Sequence, residues 1–196
     1  MYFNHSLAGA VTIKPIIDRY ESLFTEKEKT VLWFAGITAS VLPDFDLVYA
    51  ILRNLENHRS FVTHGFFLYF LMFLFLYILS FFQKKEVFGR KFFKVLSLVF
   101  ITGILTHFLL DFIVGGLVLF APFSYKVYGF EMALRKLYSN WLLAYLKSEY
   151  MILEFVVSIV FFLVIKRKEY FTPKVFALSY FLIAVLSFIF ISFIMF

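Results

Sequence analysis

The stretch FVTHGFFLYFLMFLFLYILSFF, Phe61 to Phe82, decides the architecture. From Phe66 onward it carries no charged side chain, and its apolar residues are continuous rather than alternating. A bilayer core of about 30 Å is crossed by about 20 residues of helix, and lipid offers backbone polar groups no water, so spanning segments are helices or closed barrels. Barrel strands alternate apolar and polar, which this run does not. Residues 92–113 and 175–196 read the same way. Residues 150–165 form a shorter apolar run that reaches spanning length with help from the preceding WLLAYL.

Composition agrees. The 196 residues are 62% apolar and 23% aromatic, with 31 phenylalanines, against roughly 45–50% apolar in soluble domains. The expected fold is all-α, a polytopic transmembrane helical bundle forming one integral membrane domain over residues 1–196. The first 43 residues read as a short helical hairpin, Ser6–Ile17 and Thr30–Leu42, around the charged turn DRYESLFTEKEK, with each arm barely spanning and Pro43 ending the second. About four spans follow. Gly115 and Gly116 break the third long helix, so that LVLFAPFS continues as an ordered, partly buried loop. Residues 121–149 are a Tyr-rich amphipathic connection suited to an interface, and 141–196 supply the C-terminal helices. The N-terminus has no basic region and no cleavage site, and it is read as part of the working protein rather than as a signal peptide.

With no cysteine, disulfides, thiolate nucleophiles and Cys-type metal sites are excluded, and any metal site must use His and carboxylates. The net charge of +6 does not point to nucleic acid, because the Lys and Arg lie in short loops between spans. Segments 14–30, 83–94 and 166–174 together hold 13 of the 19 Lys and Arg, which assigns that side to the cytoplasm. The ends bearing LPDFD, HRSFVTHG and THFLLD then face outward.

At that outward end stand all four histidines and three carboxylates: His5, Asp44, Asp46, His58, His64, His107 and Asp111, with Arg59 among them. His107 and Asp111 are four apart and share one helix face. Neutral imidazole and carboxylate are the usual ligands of zinc, manganese or ferrous iron. A carboxylate near hydrocarbon costs about 2.5–3.5 kcal/mol on insertion scales unless a partner or metal compensates it. Taken singly, each element has a plainer role. His5 suits an interfacial cap, LPDFD a helix stop, and HRSFVTHG an anchor with Arg59 snorkelling to lipid phosphates. His107 with Asp111 suits an interhelical polar pair or a proton relay equally well. Their conjunction at one membrane face favours a site.

The ordered series NHS, LPDFD, HRSFVTHG, THFLLD and APFS, spanning residues 4–124, resembles the membrane-bound, metal-dependent hydrolases grouped as LexA-regulated and inner-membrane-associated, whose stretches read tH, PDxD, HRGxTHS, HxxxD and PxS. Ser60 stands in place of Gly and Gly65 in place of Ser, and neither change removes a ligand. A more distant similarity is to zinc-dependent phospholipase C, which takes ligands in the order His, Asp, His and HxxxD. Its further downstream His ligands are missing here, which leaves Glu131, Glu149 or Glu154 as substitutes, or fewer ions. The resemblance implies one or two divalent ions, zinc favoured, held by His5, Asp44, Asp46, His58, His64, His107 and Asp111. It further implies hydrolysis of a phosphoester or phospholipid, for which Arg59 is the expected phosphate clamp, because a guanidinium matches phosphate oxygens in two-pronged fashion, and Asp46, as a carboxylate not fully engaged by metal, the expected general base. The alternative is a small transporter, or a structural metal-binding subunit of a membrane complex. No internal repeat of the kind found in transporters is present.

Overall fold

Thr25 opens the first long helix with a capping box. Its hydroxyl accepts from the Glu28 amide (3.3 Å), and the Glu28 carboxylate accepts from the Thr25 amide (3.0 Å). The same carboxylate accepts the Phe88 amide at 2.8 Å, which ties two connections together at one end of the bundle. The structure is a computed structural model that describes residues 4–53, 58–84, 88–130, 148, 150–165 and 173–195. Its helices are α1 (His5–Arg19), α2 (Glu26–Val41), α3 (Leu47–Leu52), α4 (Phe66–Phe82), α5 (Arg90–Val114), α6 (Tyr150–Val164) and α7 (Pro173–Met195).

Helices α1, α2 and α5 pack pairwise on one another, while α4 lies on α5, α6 on α1 and α7 on α2. Their central layer includes Ile13, Ile17, Leu32, Trp33, Ile37, Val95 and Val99. Small residues let the backbones meet. A Cβ at Gly103 would lie 2.5 Å from the Gly36 carbonyl and 2.9 Å from the Ala39 Cβ, and one at Gly9 would collide with Ser40. This small-residue contact is how helices associate where lipid removes the hydrophobic drive between them. Hydroxyl bridges add to it, Thr12 to Thr106 at 2.8 Å and Thr38 to Ser179 at 3.0 Å.

The span boundaries differ from those expected. Among the described residues, two helical stretches are long and apolar enough to cross a membrane, Glu26–Ala50 and Arg90–Val114, whereas Phe66–Phe82, Tyr150–Val164 and, within α7, Lys174–Leu186 are shorter apolar stretches. Pro43 does not stop the chain. It sits near the start of a 3-10 segment, Leu42–Asp46, which tightens the helix and passes it on to α3, because proline is tolerated where its missing N–H has no helical partner to bond. The second arm of the expected hairpin is therefore a full-length element. Conversely, the run 61–82 loses its first turn. Val62–His64 is a separate 3-10 turn, and Gly65, in extended conformation, is the N-cap of α4.

The expected break after α5 is present. Gly115 and Gly116 amides both bond the Asp111 carbonyl (3.1 and 2.9 Å), and Gly116 takes a φ of +77°. The loop beyond is ordered by reciprocal amide bonds between Leu117 and Tyr128, both 2.9 Å, and it buries Leu117, Val118 and Ala121 while exposing Phe120 and Phe123. Of the expected Tyr-rich connection, residues 131–147 and 149, including Glu131 and Glu149, lie outside the described residues.

Candidate metal centre

Three elements deliver the site. His107 and Asp111 lie on the last two turns of α5, one above the other, as their spacing of four requires. Asp44 and Asp46 come from the 3-10 segment after α2, and His64 from the turn before α4. His5 opens α1. All of these side chains are buried except that of Asp44, which keeps slight access at the rim.

Asp44, His64, His107 and Asp111 each offer a ligand atom, and the four atoms lie within 4.8 Å of one another. His107 Nε2 stands 3.3 Å from Asp111 Oδ2 and 3.7 Å from Asp44 Oδ1. His64 Nε2 stands 3.5 Å from Asp44 Oδ1 and 3.6 Å from Asp111 Oδ2. These separations exceed ordinary hydrogen bonds of about 2.7–3.2 Å. They match the edges of a tetrahedral zinc shell, about 3.3–3.6 Å for ligand bonds of about 2.0–2.2 Å. His107 Nε2 is buried without a hydrogen bond, as a nitrogen aimed at an ion would be. The residues present therefore fit a divalent cation.

The surrounding groups fix these ligands. His107 Nδ1 is 2.9 Å from the Ser40 carbonyl, which can only accept, so Nδ1 carries the proton and Nε2 turns its lone pair to the cluster. Thr63 donates to Asp46, whose Oδ2 faces His64 Nδ1 at 3.6 Å, and Tyr69 donates to the Thr63 carbonyl at 2.8 Å. Burial opposes the charged form of His64, but its contacts with Asp44 and Asp46 and the charge of Asp111 outweigh this and lift its pKa to about 9. Arg59 Nη2 bonds Asp111 Oδ1 at 2.9 Å, balancing a carboxylate that is wholly buried.

The expected residues do not all take the expected positions. Asp46 stands behind His64, on the side away from the four ligand atoms, where it orients the imidazole. His5 is stacked on His107, ring centroids 4.1 Å apart, with its Nε2 3.4 Å from Asp111 Oδ1, and lies beside the four-residue group rather than within it. Arg59 is engaged with Asp111. The His58 side chain lies outside the described residues. Glu154 is buried on α6, where its carbonyl accepts from Asn4, and it is not among the four ligand residues.

Sequence reasoning missed Thr63, the Ser40 carbonyl, Asn4 and Tyr180. Asn4 also donates to Ser158 on α6 (2.7 Å), and Ser6 bonds the Tyr180 hydroxyl on α7 (2.8 Å), so His5 is held between two helices beyond the motif region. Thr63 was open to notice, standing directly before His64. Asn4 likewise stands directly before His5, whereas the Ser40 carbonyl and Tyr180 carry no local signal.

No curated protein and no solved structure matches the chain. The sequence pattern of the YdjM inner membrane protein family matches residues 1–193. Matched over nearly its whole length, with an apolar helical bundle to correspond, the chain belongs to the YdjM inner membrane protein family.

Proposed function

We propose that this membrane protein is a metal-dependent hydrolase acting on a phosphoester, with phospholipid head groups as the favoured substrate class, and that its centre opens on the extracytoplasmic face. The reading includes about four membrane crossings, the shorter apolar helices being accommodated by a locally thinner bilayer. The observation that carries it is the convergence of Asp44, His64, His107 and Asp111 ligand atoms within 4.8 Å, beside a buried arginine. The charge asymmetry of the loops supports the orientation.

Asp44, His64, His107 and Asp111 would hold one divalent ion, zinc favoured over manganese or iron. Such an ion supplies Lewis acidity and a water acidified to near neutral pH. The chain's own residues do the rest. Ser40 and Asp46 hold the two imidazoles in place. Arg59 brings positive charge to the substrate phosphate while balancing Asp111. His5, with neither ring nitrogen hydrogen-bonded, takes the proton-handling role expected of Asp46: its Nε2 would accept a proton from the attacking water and pass that proton to the leaving oxygen.

The test is elemental analysis of protein purified in mild detergent without chelator, beside His64→Ala and His107→Ala variants, followed by hydrolysis assays on a chromogenic phosphodiester and on phospholipids. Near one equivalent of metal in the parent, lost from both variants together with hydrolysis, is the expected result. His5→Gln should keep the metal and lower kcat by about 10²-fold or more. A parent that takes up no metal even after add-back would overturn the reading.

The 2.9 Å ion pair between Arg59 and Asp111 favours a second reading, a closed structural centre. In that case metal would bind, chelation would lower the melting temperature, and no phosphoester would be hydrolysed.

A further inference from the structure

The opposite end of α5 carries a different feature. Tyr20 and Leu23 from the α1–α2 turn, Phe73 and Tyr77 from α4, and Lys91, Lys94, Val95 and Leu98 from α5 line a groove of about 420 Å³. That volume lies within the roughly 300–1,000 Å³ of small-ligand sites. Its floor is aromatic and aliphatic, and among the described residues it contains no acidic side chain. Lys91 and Lys94 are one helical turn apart, on the same face as Val95 and Leu98. The Lys94 ammonium lies 5.9 Å from the Tyr77 ring and 5.5 Å from that of Phe81, so its stem runs along the apolar wall with the charge at the rim. Arg90 sits over Phe81 at 5.0 Å and adds a third cation beside the groove.

Among the described residues the nearby acids are committed elsewhere. Asp18 pairs with Lys14, Glu21 and Glu26 pair with Lys29, and Glu28 closes the capping box and the Phe88 amide. Among the described residues none of these carboxylates is paired with Lys91 or Lys94. The flanking surface is apolar and open, with Ile78, Phe81 and Leu98 exposed. A soluble anion would satisfy the lysines and leave the groove unfilled, whereas a neutral lipid would fill the groove and leave the lysines unmatched.

We infer that this groove binds one anionic phospholipid, with an acyl chain against Phe73, Val95 and Leu98 and the phosphate between Lys91 and Lys94. The site is separate from the metal centre. Along a 25-residue helix rising about 1.5 Å per residue, the lysine end and the His107–Asp111 end stand more than 20 Å apart. Basic pockets between helices at a membrane surface bind anionic head groups in this manner.

The experiment uses full-length protein in a neutral detergent, offered equal amounts of phosphatidylglycerol and phosphatidylcholine with identical chains, with retained lipid counted by native mass spectrometry. The parent should retain phosphatidylglycerol over phosphatidylcholine by about tenfold or more. Lys91→Gln combined with Lys94→Gln should bring the ratio close to one at an unchanged melting temperature. Leu98→Trp, at an exposed position in the groove, should reduce retention of both lipids. Glycerol phosphate, which has the head-group charge and no chain, should not displace the bound lipid. Equal retention of the two lipids by the parent, an undiminished ratio in the lysine variant, or displacement by glycerol phosphate would each overturn the assignment.

Discussion

Helices α4 and α5 lie side by side, yet they are used in opposite ways. Among its described side chains α4 buries only Tyr69 and Ser80, and it presents Phe67, Phe75, Ile78 and Phe82 outward. Helix α5 buries thirteen of its twenty-five residues, among them Ser97, Gly103, Thr106, His107 and Asp111. The more uniformly apolar helix is therefore the more exposed one. In water that order would be reversed. In lipid, tails as apolar as leucine give no reason to hide leucine, and the packed side is marked instead by small and polar groups that need partners.

The comparison can be broken at several points. The largest effect is expected on α5 at Asp111→Ala, which breaks the buried ion pair with Arg59 and should cost about 3–5 kcal/mol. Combining it with Arg59→Met should recover part of the loss, as measured by denaturant titration in mixed micelles. A loss no greater than that of a surface substitution would mean that water reaches the pair. Gly103→Val drives a side chain into the Gly36 carbonyl and should cost about 1–3 kcal/mol, with a lower melting temperature. A neutral outcome would show that α2 and α5 can part without penalty.

Thr38→Val removes one interhelical hydroxyl bond, to Ser179, and should cost about 0.6 kcal/mol, the average for such bonds in a membrane helix bundle. The smallest effect is expected on α4. Phe75→Leu, at a side chain 65% exposed, should change stability by no more than about 0.5 kcal/mol. A loss of several kcal/mol there would mean that α4 is covered by a partner and does not face lipid.

The contrast also explains what the sequence made legible. The apolar runs announced helices, and the i, i+4 spacing of His107 and Asp111 placed both on one face before any packing was known. Five ordered motifs brought His5, Asp44, Asp46, His58, His64, His107 and Asp111 forward as a set, and four of them, Asp44, His64, His107 and Asp111, converge. The passage through LPDFD was not legible, because a proline reads as a helix stop wherever the following residues can turn, and only the packing of α2 shows that the chain continues. Asp46 and Asp44 are chemically alike and two residues apart. Which of them faces the cluster depends on the 3-10 winding of Leu42–Asp46, not on composition. The interhelical roles of Gly36 and Gly103 likewise depend on neighbours more than sixty positions away, and no local pattern carries that information.

The support of His5 has a consequence for the order in which the protein is made. All four residues whose ligand atoms converge precede Val114, so the group can close as soon as α5 has been synthesised and packed on α2. His5 is different. It is synthesised before the other three elements of the centre, yet the residues on either side of it, Asn4 and Ser6, bond to α6 and α7, which follow α5. The nascent chain thus carries a nearly complete centre whose earliest residue is locked only when α6 and α7 arrive.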